Sequence, residues 1–222
     1  MEEILRLDSF VIYRAVLGMV QTNTYLAVDT EAGEVVVVDP AAKGHWIIEQ
    51  VRQSGWRLTS VWLTHAHFDH FEGAAAIEEE LGPSVSILLH PDDLPLFRQH
   101  GGAQMFGLSE FELPSEPDHL LQDGEKLYAG GEEFTALSTP GHSPGHVVYL
   151  SSDRGVMFCG DLIFKDGVGR TDLPGGNRSS LEHSIRTRVF PLPPETVLLP
   201  GHGERTTVGA ERRDNPYVQG VV

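Results

Sequence analysis

The sequence predicts a layered α/β domain, with sheets covered by helices. Short apolar runs bounded by turn residues recur along the chain, as in the stretch GEVVVVDP at residues 33–40. Segments with helical character alternate with these runs. The alternation occurs in two successive stretches, each with polar loops at the strand ends. At 222 residues the chain is long enough for one domain with a substantial core. No repeat, low-complexity segment or linker divides it, so residues 1–222 read as a single domain.

Taken in order, residues 10–16 and 24–28 read as strands, and the four-valine run stopped by Asp39-Pro40 suits a buried strand. Residues 43–54 have helical character, with Ile47, Ile48 and Val51 on one side. Residues 60–63 form a short strand. Residues 69–81, with Ala74, Ala75, Ala76, Ile77 and three glutamates, favour helix. A strand follows at 86–89. Between Pro91 and Pro117 the pattern loosens; 94–99 is helical, and Gly101, Gly102, Pro114 and Pro117 mark a long excursion of a kind that often covers a site. Strands resume at 133–137, 147–150 and 156–159, then a helix at 180–189 and a strand at 196–199.

Composition narrows the function classes. The net charge of −16 disfavours nucleic acid as a partner, because phosphates need a basic surface. An anionic substrate would need a local Lys or Arg. No apolar run is long enough to cross a bilayer, so no membrane role is expected. The acidic start MEEILRLDSF lacks the apolar core of a signal peptide. Cys159 is the one cysteine, cannot form an internal disulfide, and reads as a small buried residue. A cytoplasmic location fits. Oligomeric state is not legible.

The stretch THAHFDH at residues 64–70 puts three histidines and an aspartate into seven positions. His65 and His67 alternate, so in an extended segment they point the same way. Asp69 and His70 follow at the turn into a helix. Imidazole and carboxylate suit zinc, iron or manganese. One ion cannot easily use four donors from so tight a turn, so two adjacent metals are expected, His65 and His67 on one, Asp69 and His70 on the other. Further donors belong in loops at strand ends. TPGHSPGHVVYL offers His142 and His146, VMFCGDLIF offers Asp161, and VLLPGHGE offers His202, each beside a glycine.

In that order, THAHFDH, TPGHSPGH, GD and PGH resemble the metallo-β-lactamase superfamily, over residues 24–202. The resemblance implies a four-layer αββα sandwich with the metal site at one edge of the two sheets. It implies His146, the histidine directly before a strand, as ligand, and gives His142 a supporting role. Metal one would have His65, His67 and His146; metal two would have Asp69, His70 and His202; Asp161 would bridge. Zinc is the expected ion, with iron or manganese suited to the same donors. His45, His90, His100, His119 and His183 match nothing in the motif and read as ordinary histidines.

Two metals about 3.5 Å apart can share a hydroxide made from water of lowered pKa. They also polarise a carbonyl and stabilise its oxyanion, while Asp69 orients the hydroxide. A thiolate leaves readily, so thioester hydrolysis is easy chemistry for such a site. The closest resemblance is to type II glyoxalases, the hydroxyacylglutathione hydrolases. Asp69 beside His70, Asp161 in place of a lactamase cysteine, and GVGRTDLPGGN after it carry that likeness. It implies that Arg170 contacts the glutathione portion of the substrate, against the plainer reading of a surface salt bridge. The chain ends about twenty residues after His202, so the C-terminal helical domain of the full-length glyoxalases is expected to be absent. The middle segment at 101–118 and the ending GAERRDNPYV instead resemble the short, single-domain bacterial glyoxalase-II-like proteins. Met105, Phe106, Leu108 and Phe111 are candidates for an apolar wall of the cleft or for core. Arg212, Arg213 and Tyr217 are weaker candidates for contacts.

The expected function is therefore hydrolysis of a thioester, an S-2-hydroxyacylglutathione in the first instance. The alternative is a persulfide dioxygenase with one ferrous ion on His65, His146 and Asp161. Hydrolysis of a lactone, lactam or phosphodiester is a third reading. A closed structural zinc site needs only four ligands, fewer than this motif supplies.

Overall fold

The computed structural model describes residues 1–108 and 111–218, so Ser109 and Glu110 of the middle segment lie outside the described residues. Strands β1 (Glu2–Leu7), β2 (Phe10–Leu17), β3 (Thr22–Asp29) and β4 (Glu34–Val38) run antiparallel in sequence order. Helix α1 (Gly44–Gln53) crosses over to β5 (Arg57–Trp62), which lies parallel to β4. Helices α2 (Phe68–Phe71) and α3 (Ala74–Leu81) lead to β6 (Ser86–Leu89), again parallel. After α4 (Leu94–Phe97) and a 3₁₀ segment at His100–Phe106, β7 (His119–Leu120) closes this sheet. The second sheet starts with the meander β8 (Glu125–Ala129), β9 (Glu132–Ser138), β10 (Val147–Ser151) and β11 (Val156–Gly160). A small hairpin, β12 (Ile163–Phe164) and β13 (Gly167–Val168), precedes α5 (Arg178–Ser184). Then β14 (Val197–Pro200) joins parallel to β11, with β15 (Thr206–Thr207) and α6 (Val208–Asp214) following.

Alternation along each strand builds four layers. Val36 and Val38 join Trp62, Phe134, Tyr149 and Phe158 in a core between the two sheets. Val35 and Val37 point the other way, onto Ile47, Ile48 and Val51 of α1 and Ile77 of α3. The four-valine run is therefore apolar throughout because both faces are covered. In the second sheet Val148, Leu150, Met157 and Leu198 pack on Leu181 of α5 and Val208 of α6. Cys159 lies buried in that last cluster, as a small apolar residue would. This is the helix, sheet, sheet, helix sandwich expected.

Some elements differ from expectation. The helix expected over 69–81 is two helices, broken where the Gly73 N–H turns to the Pro40 carbonyl at 2.8 Å. A side chain at Gly73 would meet that carbonyl at 2.9 Å, so only glycine allows the approach. The helix over 180–189 starts at Arg178, capped by the Asn177 side chain on Ser180 N–H, and finishes as a π turn at Ile185–Val189. The 94–99 helix is a single turn. Strands β1 and β8 and helix α6 carry no strong apolar pattern in the sequence.

Candidate metal centre

The site forms because four strands deliver their carboxyl ends to one edge of the sandwich. Asp39 follows β4, residues 64–70 follow β5, Asp161 follows β11 and His202 follows β14. The loop entering β10 adds His142 and His146. The two sheets are stitched there by Val147 N–H donating to the Thr64 carbonyl at 2.8 Å. Thr22, at the start of β3, bridges to His202 across the same edge.

Three sets of side chains each place one donor atom per residue within 4.8 Å of the others: His65, His67 and His142; His65, His70 and Asp161; Asp69, His70 and His202. The hydrogen bonds around them set which atoms face inward. Thr64 Oγ1 donates to Asp39 Oδ2 at 2.7 Å and so accepts from His65 Nδ1 at 3.0 Å. His65 Nε2 then carries a lone pair and has no hydrogen bond among the described residues, though fully buried. His70 Nδ1 donates to Asp39 Oδ2 at 2.9 Å, and its Nε2 is likewise buried and unbonded. His142 Nδ1 donates to the Arg170 carbonyl at 2.8 Å, which turns Nε2 toward His67 Nδ1, 2.8 Å away. Asp161 Oδ1 is buried without a hydrogen bond, 3.4 Å from His70 Nε2, while its Oδ2 lies 3.5 Å from both His142 Nε2 and His202 Nε2.

Buried polar atoms without partners are costly. Two imidazole nitrogens and a carboxylate oxygen of this kind, facing one another in one cluster, fit a divalent cation in both charge and donor type. Asp39, holding His65 through Thr64 and His70 directly, orients the donors from behind.

One expected donor is placed elsewhere. His146 spends both ring nitrogens: Nδ1 bonds Thr139 Oγ1 at 2.8 Å, and Nε2 accepts the Asp161 backbone N–H at 3.1 Å. It has no lone pair left for a metal. His142, expected only to support, turns its Nε2 into the cluster instead. The other expected residues, His65, His67, Asp69, His70, Asp161 and His202, come together. The remaining histidines stay outside these donor sets; His45 pairs with Glu80 and His119 with Glu125.

The charges sort into two kinds. Burial pushes His65 and His146 well below the usual histidine range, and His67 down to about 3, so all three rings are neutral. Burial opposes charge on His70 too, but Asp69, Asp161 and Asp39 outweigh it and raise its pKa to about 9. Burial also opposes charge on His202, and Asp161 and Asp69 raise that one to about 11. Burial works against ionisation of Asp69, yet His70, His202 and the Thr22 hydroxyl (2.7 Å) hold it at about 2. Asp161 is held below the usual carboxylate range against its own burial by His70 and His202.

Sequence reading missed several supports. Asp39 showed only as the stop of a strand. Asp93 is a fully buried carboxylate that accepts from Ala66 N–H (2.9 Å), Ser143 Oγ (2.7 Å) and Gly145 N–H (2.6 Å). It thereby ties the His65–His67 turn to the His142 loop. Asn23 fixes the His202 loop, its Nδ2 donating to the Pro200 and Gly203 carbonyls at 2.8 and 3.0 Å. Arg170 makes the salt bridge of the plainer reading: Nε and Nη2 bind Asp172 at 2.8 and 2.7 Å, and the side chain is half exposed. Met105 and Phe106 are exposed and line a cleft beside His67, whereas Phe111 packs on Phe71 at the core. Arg213 pairs with Asp214, and the Tyr217 carbonyl accepts from Arg178.

The chain is similar to known proteins over most of its length. The Metallo-beta-lactamase superfamily profile matches residues 17–202. The chain is 33% identical to the hydroxyacylglutathione hydrolase GloC of Haemophilus influenzae (strain ATCC 51907 / DSM 11121 / KW20 / Rd), over 89% of this chain and 93% of that one. The structure of BLEG-1, a B3 metallo-beta-lactamase, superposes with a TM-score of 0.85 at 33% identity, covering 94% of this chain and 100% of that one. TTHA1623, in a di-iron-bound form, superposes at 0.84 with 38% identity, covering 92% and 99%. With the profile spanning most of the sequence and the sandwich and its edge site in place, the protein belongs to the metallo-beta-lactamase superfamily.

Proposed function

We propose that the protein is a hydrolase with two divalent metal ions that cleaves a thioester, with glutathione as the thiol carrier. The observation that carries this is the position of Asp161, whose carboxylate lies within 3.5 Å of His142, His70 and His202 and so spans the two donor sets. In this reading His65, His67 and His142 would hold one ion and Asp69, His70 and His202 the other, with Asp161 placed between the two donor sets. Zinc, iron or manganese each suits these donors. These residues would hold metal whose chemistry would be to lower the pKa of a bound water and polarise the acyl carbonyl.

The chain's own residues do the rest. Asp39 keeps the Nε2 atoms of His65 and His70 free by taking up their opposite nitrogens, through Thr64 for His65. The Thr22 hydroxyl donates to Asp69 Oδ2 at 2.7 Å and fixes that carboxylate, which would orient the attacking water. The water oxygen bonds to the acyl carbon and the carbon–sulfur bond breaks. The thiol leaves with one proton, and the carboxylic acid gives the other to solvent. Arg170 would meet a carboxylate of the carrier by exchanging Asp172 for it. The likeness to GloC supports glutathione as that carrier.

The test is anaerobic hydrolysis of S-D-lactoylglutathione by freshly purified protein, before and after chelation and metal restoration. Turnover that is lost with the metal and restored with it, without oxygen, supports the reading. Oxygen uptake with glutathione persulfide and no thioester turnover would transfer the protein to the dioxygenases. Opening of a β-lactam alone would make it a lactamase.

A further inference from the structure

We propose that the cleft beside His67 receives an apolar acyl group, so that the preferred substrates carry acyl chains larger and more apolar than lactoyl. The inference rests on the thioesterase reading and names the acyl class for that site. The cleft has a volume of about 380 Å³, and His67 forms part of its wall, so it adjoins the candidate metal centre. Leu96, Met105 and Phe106 line it from the segment after β6, and Leu173 and Pro174 from the loop after Arg170. Met105 is 60% exposed and Phe106 46% exposed. Large apolar side chains left in water at the mouth of a site mark a place where an apolar ligand is covered.

The polar part of the wall is already engaged or uncharged. Arg98 is on the cleft, but Glu116 takes both its Nε and Nη2, at 2.8 and 2.7 Å. Gln99 and Gln104 are uncharged, and His100 bonds the Phe111 carbonyl. Leu96, Met105, Phe106, Leu173 and Pro174 offer an acyl chain apolar surface to bury in this cleft, where a carrier with ionised carboxylates would lose hydration. The acyl chain gains by entering it, and the carrier is left to the side of Arg170, which does not line the cleft. A lactoyl methyl would fill only a small part of such a volume.

The experiment measures kcat/KM of the metal-loaded protein on S-acetyl-, S-butyryl- and S-hexanoylglutathione, which share one carrier. The expected result is a rise of at least tenfold from acetyl to hexanoyl. Full burial of each methylene, about 0.8 kcal/mol or roughly fourfold, sets the ceiling. In the double variant Met105→Gln, Phe106→Gln, at two exposed positions, the hexanoyl-to-acetyl ratio should fall at least threefold. A flat or falling series with measurable turnover overturns the inference and leaves the thioesterase standing. An unchanged ratio in the double variant overturns the assignment to this cleft. Absence of turnover on every thioester sinks the thioesterase reading itself, and the inference with it.

Discussion

His142 and His146 share one loop, yet their rings have opposite tasks. The Arg170 carbonyl takes one nitrogen of His142 and leaves the other facing His67. Thr139 and the Asp161 N–H take both nitrogens of His146. We therefore expect His142→Ala to lose about one metal ion per chain. His146→Gln should keep both ions but melt earlier, by about 1–3 kcal/mol for unmade buried hydrogen bonds. Elemental analysis beside thermal melts separates the two. The sequence could not, since each histidine has glycine for a neighbour and two of the deciding partners, the Arg170 carbonyl and the Asp161 N–H, come from other loops. The same residues fix a pH response of the metal-free protein. His65, His67 and His146 have folded pKa values below an unfolded histidine's about 6.5, so stability falls as pH drops below that value. His70 and His202 have folded values of about 9 and about 11, so their contribution is full below about 6.5 and is lost as pH rises through those values. The melting temperature after chelation should thus peak near pH 6.5, and a monotonic rise or fall across pH 5–9 would contradict the charge assignment.

At the scale of elements, the loops at the strand ends are tied to one another by hydrogen bonds. Asp93 is the strongest tie, joining the turn after β5 to the loop before β10. Its three partners are all donors, and only an acceptor on both oxygens satisfies them. In Asp93→Asn an NH₂ group must face either Gly145 N–H or Ala66 N–H, a cost of about 1–3 kcal/mol. The expected outcome is weaker metal retention in a chelator competition, with one ion released well before the other. Equal release of both would place the effect in general stability. Strands with a covered face, such as β2, β3, β4, β10 and β11, were legible because burial writes its period into the residues. β1 and β8 were not, because β1 (EEILRL) and β8 (EKLYA) are edge strands with much of their length in solvent. The break at Gly73 was hidden for another reason: it depends on the approach of Pro40, far away in sequence.

For the whole molecule, the site depends on two sheets held face to face, and the inter-sheet core sets that distance. Trp62 sits in it fully buried, with ring centroids 5.0 Å from Tyr149 and 5.6 Å from Phe134. Trp62→Ala should cost about 3–5 kcal/mol in denaturant unfolding, and a loss below about 1 kcal/mol would show that this layer is not what holds the sheets. The four-motif order announced the sandwich and six of the residues in the donor sets, because donors at strand ends cannot be moved without moving the fold. The supports behind them, Asp39, Asp93 and Asn23, stayed unread because their partners lie far away in sequence and many are backbone atoms, which the sequence does not display. The most direct measurement is metal content per chain on freshly purified protein by elemental analysis. Two ions per chain is the predicted result, shared by the two donor sets on either side of Asp161, and one ion or none would contradict the binuclear centre on which the hydrolase reading stands.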